Sequence, residues 1–337
     1  MNTIRIAFTD YPGPFNPIRI EALLRKRFNI EIDQDKPDYV IYGTFGFDFL
    51  KYEDCIRIYL PGENEIPDFN LCDFAFGYHW LDFEDRYQRL PNYLLYDQYK
   101  DLLKRRRSRT SDSSAEDLPP RFCNFIYTNG IGHPFRDQLF EKLHAAKKVD
   151  SAGAHLRNID EQIGDAYKGD WTIPKVDFQK QYRFSIACEN APTNGYTTEK
   201  IIHALAADTI PIYWGNPEIG KEFNTKRFIN CYDYQSLDDI VDHIMSLEND
   251  PTQISKMLQE PFFPDDQELE DLSEDRILQQ FDNIFSADKE QAIRRNLHFW
   301  GKIYEDRTLK MAKANAFVHG KNIWGKTARA VRRLSGS

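Results

Sequence analysis

At 337 residues, with 41% hydrophobic and 14% aromatic residues, the chain can bury one or two cores, which excludes a wholly disordered protein. A net charge of −9 at pH 7 excludes general binding of nucleic acid or another polyanion, although a nucleotide pocket needs only local positive charge. The five cysteines are scattered without C-x-x-C spacing, and no run approaches the ~20 apolar residues of a membrane-spanning helix, so we expect an intracellular protein with reduced thiols.

The amino-terminal part of the chain alternates short apolar segments with polar turns. These segments predict four strands and one amphipathic helix, the strands at residues 3–8, 28–32, 38–43 and 55–60 and the helix at residues 17–27. Such alternation favours an α/β domain with an open parallel sheet. Asp33-Gln34-Asp35 falls between two of these strands, and we assign its carboxylates to turn chemistry rather than to a metal site.

A loop with two carboxylates follows the fourth predicted strand. It has the sequence PGENEIP at residues 61–67. Loops at the carboxyl ends of parallel strands often carry functional groups, although an acidic turn would have the same composition. Farther along, residues 82–87 (DFEDRY) combine carboxylates with aromatic rings, as sugar-binding sites do, so Asp85 and Arg86 are candidate contacts. A helix end with local ion pairs would explain the same residues.

The composition changes abruptly at residues 100–120, where KRRR precedes a serine-rich run that ends in two prolines. With few apolar residues to bury, this segment is predicted to be an exposed linker, and we place the domain boundary between residues 118 and 119. A basic run can also bind phosphates or an anionic membrane, but a solvated linker is the more usual interpretation.

The second domain is predicted to open with a strand at residues 122–127. A polar loop follows, and Pro134 marks the start of a helix whose first turn contains Arg136. After a strand that begins at Val149, we expect a loop at residues 164–174 and a short helix at residues 177–181. The arrangement again places a helix N-terminus after a strand, which is where an α/β sheet binds ligands.

Residues 182–217, with the sequence YRFSIACENAPTNGYTTEKIIHALAADTIPIYWGNP, carry the clearest pattern in the chain. A buried strand ends at Glu189, a helix begins near Glu199, and a second strand covers residues 209–213, which predicts a βαβ unit. Such a unit aims a helix N-terminus at the carboxyl edge of a parallel sheet, where an anion is favoured. Lys200 is unfavourable there for the helix alone, so a bound phosphate would explain it; the alternative is a solvated Lys200 beside Glu199.

The carboxyl-terminal part is predicted to be mostly helical. One helix begins at Ser236, and a long helix covers residues 274–299. The tail at residues 306–337 is basic. Apolar residues recur there at the spacing of an amphipathic helix, at Trp324, Ala328 and Val331. The tail therefore fits either a helix lying on an anionic membrane or a frayed basic end.

Two blocks of sequence carry a resemblance to a known family. The pattern E-N-x5-Y-x2-E-K, followed by TIPIYWG, resembles the donor-binding signature of the α1,3-fucosyltransferases, and of their bacterial members in particular. The segment Y-x-P-G-E-N-E-x-P-D-F-N, with CDFAFGY and LDFEDRY after it, is similar to their acceptor-domain block. The resemblance implies the GT-B architecture, with two Rossmann-like domains whose mostly parallel sheets face a central cleft. Residues 1–118 would bind the acceptor and residues 119–279 GDP-fucose, with a helix at about 280–305 packing back on the first domain.

The same resemblance implies a reaction and its residues. L-Fucose would pass from GDP-fucose, with inversion, to the 3-hydroxyl of N-acetylglucosamine in a lactosamine-type glycan, such as a lipopolysaccharide carrying a Lewis antigen. Glu63 matches the general base of the family. The donor contacts would be Arg136, Asn190, Tyr196, Glu199 and Lys200, with Glu189, Ser151, Gly153 and Asn158 as further candidates. No metal would be essential, although divalent cations would stimulate. The expected location is the bacterial cytoplasm, with the tail on the inner face of the membrane.

Other functions compete with this interpretation. Another sugar-nucleotide glycosyltransferase would keep the phosphate-binding residues and change the sugar contacts. A non-catalytic sugar-nucleotide-binding module would not require Glu63. A hydride-transferring Rossmann enzyme is disfavoured because no G-x-G-x-x-G follows the first strand or Tyr127.

Overall fold

The structure, a computed structural model, describes residues 3–13, 15–107, 118–163 and 170–314. Within them lie two mostly parallel sheets with helices between the strands, which confirms the predicted α/β class. By their internal contacts, the described residues divide into two compact units. The first holds those up to Phe76, Glu84–Tyr87 and those from Asp282 onward, and the second holds those of Gly77–Phe83 and Gln88–Phe281. Among the helices described, we find none with the length and apolar character needed to span a membrane.

The first sheet has six strands in the order β2-β1-β3-β4-β5-β6, and its neighbours from β2 to β5 pair in parallel. β3 and β4 are buried along their whole length, as expected for strands covered on both faces. The strands are β1 Ile4–Thr9, β2 Ile30–Ile32, β3 Tyr39–Tyr42, β4 Ile56–Tyr59, β5 Phe74–Gly77 and β6 Tyr87–Arg89, and the helix α1 covers Phe15–Leu24. The four strands predicted before residue 61 are confirmed, whereas β5 and β6 were not predicted.

Within the first unit, buried ion pairs and hydrogen bonds hold the segment after residue 286 against the amino-terminal sheet. Asp73 is fully buried, and its Oδ1 accepts hydrogen bonds from the backbone N–H groups of Arg294 and Arg295 at 2.8 and 3.0 Å. The Arg295 guanidinium also pairs with Asp73, and buried Arg57 pairs with Glu305 at 2.9 Å. A carboxylate buried this deeply is stable only when it accepts hydrogen bonds, and Arg294 and Arg295 supply them. The segment that carries these two residues is therefore needed for the fold of the first unit.

The predicted single helix over residues 274–299 is wrong. The chain forms α8 Glu274–Ser286 and α9 Lys289–Ala292, and it then runs irregularly until a helix over residues 300–314, called α10 here. The helix does not continue after α9 because the backbone N–H groups of Arg294 and Arg295 donate to Asp73 instead of to carbonyls of the preceding turn. Residues 315–337, with the predicted amphipathic pattern of the tail, lie outside the described residues.

The second sheet is wholly parallel and has the order β11-β10-β9-β7-β8. Its strands are β7 Arg121–Phe125, β8 Val149–Ser151, β9 Tyr182–Cys188, β10 Ile210–Trp214 and β11 Ile229–Asn230. Its helices are α2 Asp97–Arg107, α3 Phe135–Ala146, α4 Thr172–Gln179, α5 Glu199–Ala206, α6 Leu237–Glu248 and α7 Pro251–Gln259. From β7 the chain adds β8 on one side and β9 on the other. The strand order therefore reverses between β7 and β9, and open α/β sheets bind ligands at such a point.

Two predictions about this unit need correction. Residues 100–107, predicted to be part of an exposed linker, belong to α2, which packs against α5 through buried Leu102. Arg105 fixes the same contact by donating to the carbonyl of Ala206 at 3.2 Å. The rest of the predicted linker, at residues 108–117, lies outside the described residues, and the boundary between residues 118 and 119 stays a prediction. The short helix expected at 177–181 is α4, which begins five residues earlier and ends two residues earlier.

Candidate functional site

A buried carboxylate links the end of β9 to the start of α5. Glu189 is fully buried, and its two oxygens accept from the backbone N–H and from the hydroxyl of Thr198, each at 2.7 Å. Burial raises the pKa of Glu189, and the ammonium of Lys200 opposes that effect. Glu189 therefore caps α5 from the neighbouring strand, and the helix N-terminus lies at the carboxyl edge of the sheet as the sequence predicted.

Lys200 belongs to the same group. Its ammonium donates to Glu189 Oε2 at 3.1 Å and to the Thr198 hydroxyl at 3.0 Å, and its side chain is only 14% exposed. The alternative of a solvated Lys200 is therefore wrong. The first turn of a helix is electrostatically unfavourable for a cation, so a lysine held there by a buried carboxylate concentrates positive charge where an anion can bind.

Glu199 and a second lysine complete the charges around the first turn of α5. Lys175, on α4, is 6% exposed, and its burial lowers the pKa of its ammonium to about 8. Burial also raises the pKa of Glu199, but Lys200 and Lys175 together outweigh this effect and hold that pKa below its ordinary value. Glu199 is thus ionised and half-buried between two cations, available to accept hydrogen bonds from hydroxyl groups.

Lys175 was missed from the sequence because it falls between the predicted loop at residues 164–174 and the predicted helix at residues 177–181. The sequence does contain a signal for a helix start, because the acidic residue Asp170 stands two positions before Thr172. In the structure, Asp170 Oδ1 accepts a hydrogen bond from the backbone N–H of Thr172 at 3.0 Å. A helix starting there places Lys175, Val176 and Phe178 at buried positions.

Arg136 occupies the other side of the reversal in strand order. It lies in the first turn of α3, 2% exposed, with its guanidinium 4.5 Å from the ring of Tyr127. Its Nε donates to Asp137 at 3.0 Å and its Nη2 to the carbonyl of Asn129 at 3.1 Å. A Cβ added at Gly132, whose φ is +157°, would lie 3.4 Å from both Arg136 Nη1 and the Asn190 carbonyl oxygen. The structure therefore brings Arg136 and Asn190 together.

The loop before α5 is held by a buried polar network centred on Glu222. One Glu222 oxygen accepts from Arg89, Thr197 and Asn216 at 2.8 to 2.9 Å, and the other accepts from Tyr93 at 2.7 Å. The Arg89 guanidinium also donates to the carbonyl of Gly195 at 2.9 Å. Because these bonds fix the chain on both sides of residue 196, the network sets the position of the α5 N-terminus.

Tyr196 lies within this loop and is 1% exposed. Its ring stands edge-on to that of Tyr78, with 4.9 Å between centroids. Gly195 precedes it with a φ of +83°, and a Cβ there would approach the Tyr78 carbonyl oxygen to 2.5 Å, so glycine is needed at this position. The structure thus places Tyr196 beside the start of α5, with its ring packed inward.

We expect Glu222→Gln to lower the free energy of unfolding by about 3–5 kcal/mol, because it leaves the buried Arg89 guanidinium without its counterion. Urea unfolding followed by circular dichroism measures this change. The matched control is Glu218→Gln, whose partner Lys221 is exposed; it should shift stability by no more than about 0.5 kcal/mol. Equal losses in the two variants would show that the buried pair has no special part in stability.

Three further candidates lie at the end of β8 and in the loop after it, where hydrogen bonds join the loop to the strand. The backbone N–H of Ser151 donates to Asn158 Oδ1 at 2.8 Å, and the Ser151 hydroxyl donates to the carbonyl of His155 at 3.1 Å. The Asn158 amide donates to the carbonyl of Val149 at 2.8 Å. A Cβ at Gly153 would come within 2.1 Å of the Tyr127 carbonyl oxygen, so the loop packs on β7 only with glycine here. These residues shape the edge of the sheet.

Glu63 lies in the first unit, on the loop after β4. Its side chain is exposed, and its carbonyl accepts from the backbone N–H of Glu65 at 2.9 Å. The neighbouring Glu65 side chain is hydrogen-bonded by the hydroxyl of Tyr59. The loop is thereby anchored through Glu65, which leaves Glu63 at its surface as a carboxylate at the carboxyl end of a parallel strand.

Asp85 and Arg86 have structural partners in the first unit. Asp85 accepts from Arg294 at 2.8 Å, and Arg86 donates to the carbonyls of Phe69, Cys72 and Asp73 at 2.8 to 3.0 Å. Both residues therefore support the fold around β5.

No cluster of three or more His, Cys, Asp or Glu side chains that could hold a metal occurs in the part of the chain that the structure describes. The D-x-D at residue 33 forms a turn, in which Asp33 Oδ1 accepts from the N–H groups of Asp35 and Lys36 at 2.9 and 3.0 Å. Its assignment to turn chemistry is confirmed. All five cysteines are buried free thiols.

Comparison with known proteins places this site in context. Residues 6–96 match the model of the alpha-(1,3)-fucosyltransferase FucT N-terminal domain, and residues 121–259 match that of the glycosyltransferase family 10 (fucosyltransferase) C-terminal domain. The chain is 30% identical to alpha-(1,3)-fucosyltransferase FucT of Helicobacter pylori over 277 residues. These residues make up 71% of this chain and 55% of that protein. It is 34% identical over 116 residues to alpha-(1,3)-fucosyltransferase B of Drosophila melanogaster, 33% of this chain and 26% of that one. The chain thus spans about half the length, or less, of these relatives.

Solved structures show the same similarity over nearly the whole chain. A crystal structure of an α1,3-fucosyltransferase superposes with a TM-score of 0.73 at 26% identity, covering 88% of this chain and 93% of that one. The crystal structure of α1,3-fucosyltransferase with GDP-fucose gives a TM-score of 0.69 at 26% identity, covering 88% and 94%.

Proposed function

This chain belongs to the fucosyltransferases of glycosyltransferase family 10, and on that premise we propose that it transfers L-fucose from GDP-fucose to a glycan hydroxyl. The observation that supports the donor is the group formed by Glu189, Thr198 and Lys200 at the N-terminus of α5, with Arg136 beside Asn190. It concentrates cations and backbone donors where the strand order reverses, which suits a diphosphate. The proposed acceptor is the 3-hydroxyl of N-acetylglucosamine in a lactosamine-type glycan, such as one that carries a Lewis antigen on lipopolysaccharide.

The leaving group explains why cations matter most on the donor side. Fucosyl transfer breaks the bond between the anomeric carbon and a β-phosphate oxygen, so negative charge grows on the phosphate while the sugar becomes oxocarbenium-like. A phosphate leaves without a general acid if positive charge stabilises it, and Arg136 and Lys200 supply that charge. A bound metal is therefore not needed for departure, although a divalent cation that associates with the diphosphate would add to the effect. Glu199 accepts from a hydroxyl of the donor, and Asn190 and Tyr196 lie against the same edge.

The acceptor needs a base as well as a direction of attack. Inversion requires its hydroxyl to attack the anomeric carbon from the face opposite the phosphate, and a carboxylate must take the hydroxyl proton. We assign this role to Glu63, which is exposed on its loop after β4. The β-linked fucose of the donor would then become α-linked in the product.

We also propose a cytoplasmic location at the inner face of a bacterial membrane. The support is compositional: residues 306–337 are rich in Lys and Arg and contain no acid after Asp306, a charge pattern that anionic lipids attract.

A donor panel tests the proposed function. Purified protein is incubated with N-acetyllactosamine and, in turn, GDP-fucose, GDP-mannose and UDP-sugars, with and without EDTA, and released nucleotide and product linkage are measured. We expect turnover with GDP-fucose alone, an α1,3-linked product, and activity that persists in EDTA. Turnover with a different sugar nucleotide would identify another glycosyltransferase, and tight GDP binding without transfer would indicate a binding module.

A further inference from the structure

The guanidinium of Arg136 is held in one orientation by its neighbours. Its Nε donates to Asp137 Oδ1 at 3.0 Å, its Nη2 donates to the carbonyl of Asn129 at 3.1 Å, and its central carbon lies 4.5 Å from the centroid of the Tyr127 ring. Among the residues that the structure describes, Nη1 has no hydrogen-bond partner. The guanidinium therefore binds the protein through one edge and keeps the N–H groups of Nη1 for an anion.

Asp137 is in turn held by His155. The two side chains are half-buried, and Asp137 Oδ2 and His155 Nε2 are hydrogen-bonded at 2.8 Å. The backbone of His155 is fixed as well, because its N–H donates to the carbonyl of Tyr127 at 2.9 Å and its carbonyl accepts from the Ser151 hydroxyl at 3.1 Å. A Cβ added at Gly130 would come within 2.8 Å of the imidazole, so the ring also packs on the loop after β7. The orientation of the Asp137 carboxylate is therefore set by the loop after β8.

A simpler role for Asp137 is that of an acidic residue in the first turn of α3, where the helix dipole favours negative charge. That role needs no side-chain partner, and a capping carboxylate accepts from backbone N–H groups. Among the described residues, however, the partners of the Asp137 carboxylate are the side chains of Arg136 and His155. Burial raises the pKa of Asp137, but hydrogen bonds from His155 and Arg136 outweigh this effect and hold that pKa below its ordinary value. Asp137 is thus an ionised acceptor that two side chains share.

We propose that Asp137, held by His155, is a positioning residue of the donor site that orients the Arg136 guanidinium for the diphosphate. A guanidinium that is already oriented loses little conformational entropy when a phosphate binds, and its charge is in place when the phosphate leaves. This inference rests on the proposed function, since it concerns the same donor site. It predicts that Asp137 acts on phosphates through Arg136 and has no effect on binding of the nucleoside part.

A double-mutant cycle tests the inference, with GDP and guanosine as calorimetric ligands. Asp137→Ala should weaken GDP binding about tenfold, within the range of coupling in one hydrogen-bond network, and leave guanosine binding unchanged. In an Arg136→Met background, the same substitution should have almost no further effect on GDP. An equal loss in both backgrounds, no loss of GDP affinity, or an equal loss for guanosine would overturn the inference.

Asp137→Asn separates orientation from charge. An asparagine oxygen can still accept from Arg136 Nε, so GDP affinity should stay within about threefold of the wild type. If the negative charge itself opposed phosphate binding, both Asp137→Asn and Asp137→Ala would strengthen it, and a loss in Asp137→Asn as large as that in Asp137→Ala would show that orientation is not what matters. Either result would contradict the role of Asp137.

Asp238→Ala is the matched control, because Asp238 is also an acid in the first turn of a helix and pairs with exposed Lys142. It should lower thermal stability about as much as Asp137→Ala and leave GDP affinity as in the wild type. A comparable loss of GDP affinity in this control would show that the effect comes from general stability and overturn the inference. If the wild-type protein binds no GDP at all, it is the proposed function that fails.

Discussion

Replacing Glu63 with glutamine should lower the turnover number of fucosyl transfer by about 10²- to 10⁴-fold, the usual loss when a general base is removed. Glutamine keeps the size of the side chain but cannot take a proton from the acceptor hydroxyl. Because the residue is exposed on the loop after β4, the fold and the affinity for GDP should remain as in the wild type. Initial rates with saturating GDP-fucose and acceptor, together with calorimetric GDP binding, measure both quantities.

The matched control is Glu65→Gln in the same loop. Glu65 is the side chain that Tyr59 contacts, and a glutamine oxygen can accept the same hydrogen bond. This variant should retain most of the turnover. A comparable loss in both variants would show that the loop needs its total charge rather than a base at Glu63.

Lys200→Met should reduce kcat/KM by about 10²- to 10³-fold, the loss typical of removing one preorganised group that stabilises developing negative charge. The substitution removes a cation from the α5 N-terminus and also leaves Glu189 without its ion pair. GDP affinity should fall with kcat/KM, whereas guanosine, which has no phosphate, should bind as before. Steady-state kinetics and calorimetry with the two ligands measure the difference.

Lys180→Met is the corresponding control, because Lys180 is an exposed lysine paired with Asp177 within one helical turn. It should leave kinetics and binding within about twofold of the wild type, as expected for a surface pair. If Lys200→Met weakened guanosine and GDP binding equally, its effect would be on the fold of the site, and the assignment to the phosphates would be wrong.

The βαβ unit of β9, α5 and β10 was predictable because each of its elements carries its own signal. Its strands are mostly apolar, and the turn residues between them leave only one place for the helix to start. The same local logic identified Ser236, whose hydroxyl accepts from the backbone N–H of Asp239 at 3.2 Å.

The wrong and missing predictions concern residues whose structure is set by tertiary contacts and not by the local composition of the sequence. The basic run at residues 104–107 suggested a linker, but Leu102 is buried and α2 packs on α5, so the run belongs to a packed helix. Lys175 was missed because a lysine is rarely buried, and the helix-start signal at Asp170 does not by itself predict which side chains of that helix are buried. Glu222 was missed for a similar reason: its four partners come from segments as far as 133 residues away.

The hydrogen bonds between Asp73 and the segment after α9 affect the order in which the two units fold during translation. Asp73 is synthesised more than 200 residues before Arg294 and Arg295, whose backbone N–H groups it binds. The second unit, in contrast, is fully synthesised once translation has passed Phe281. Nascent chains should therefore complete the later-encoded unit first, and the amino-terminal sheet should stay open to chaperones and proteases until translation passes residue 295.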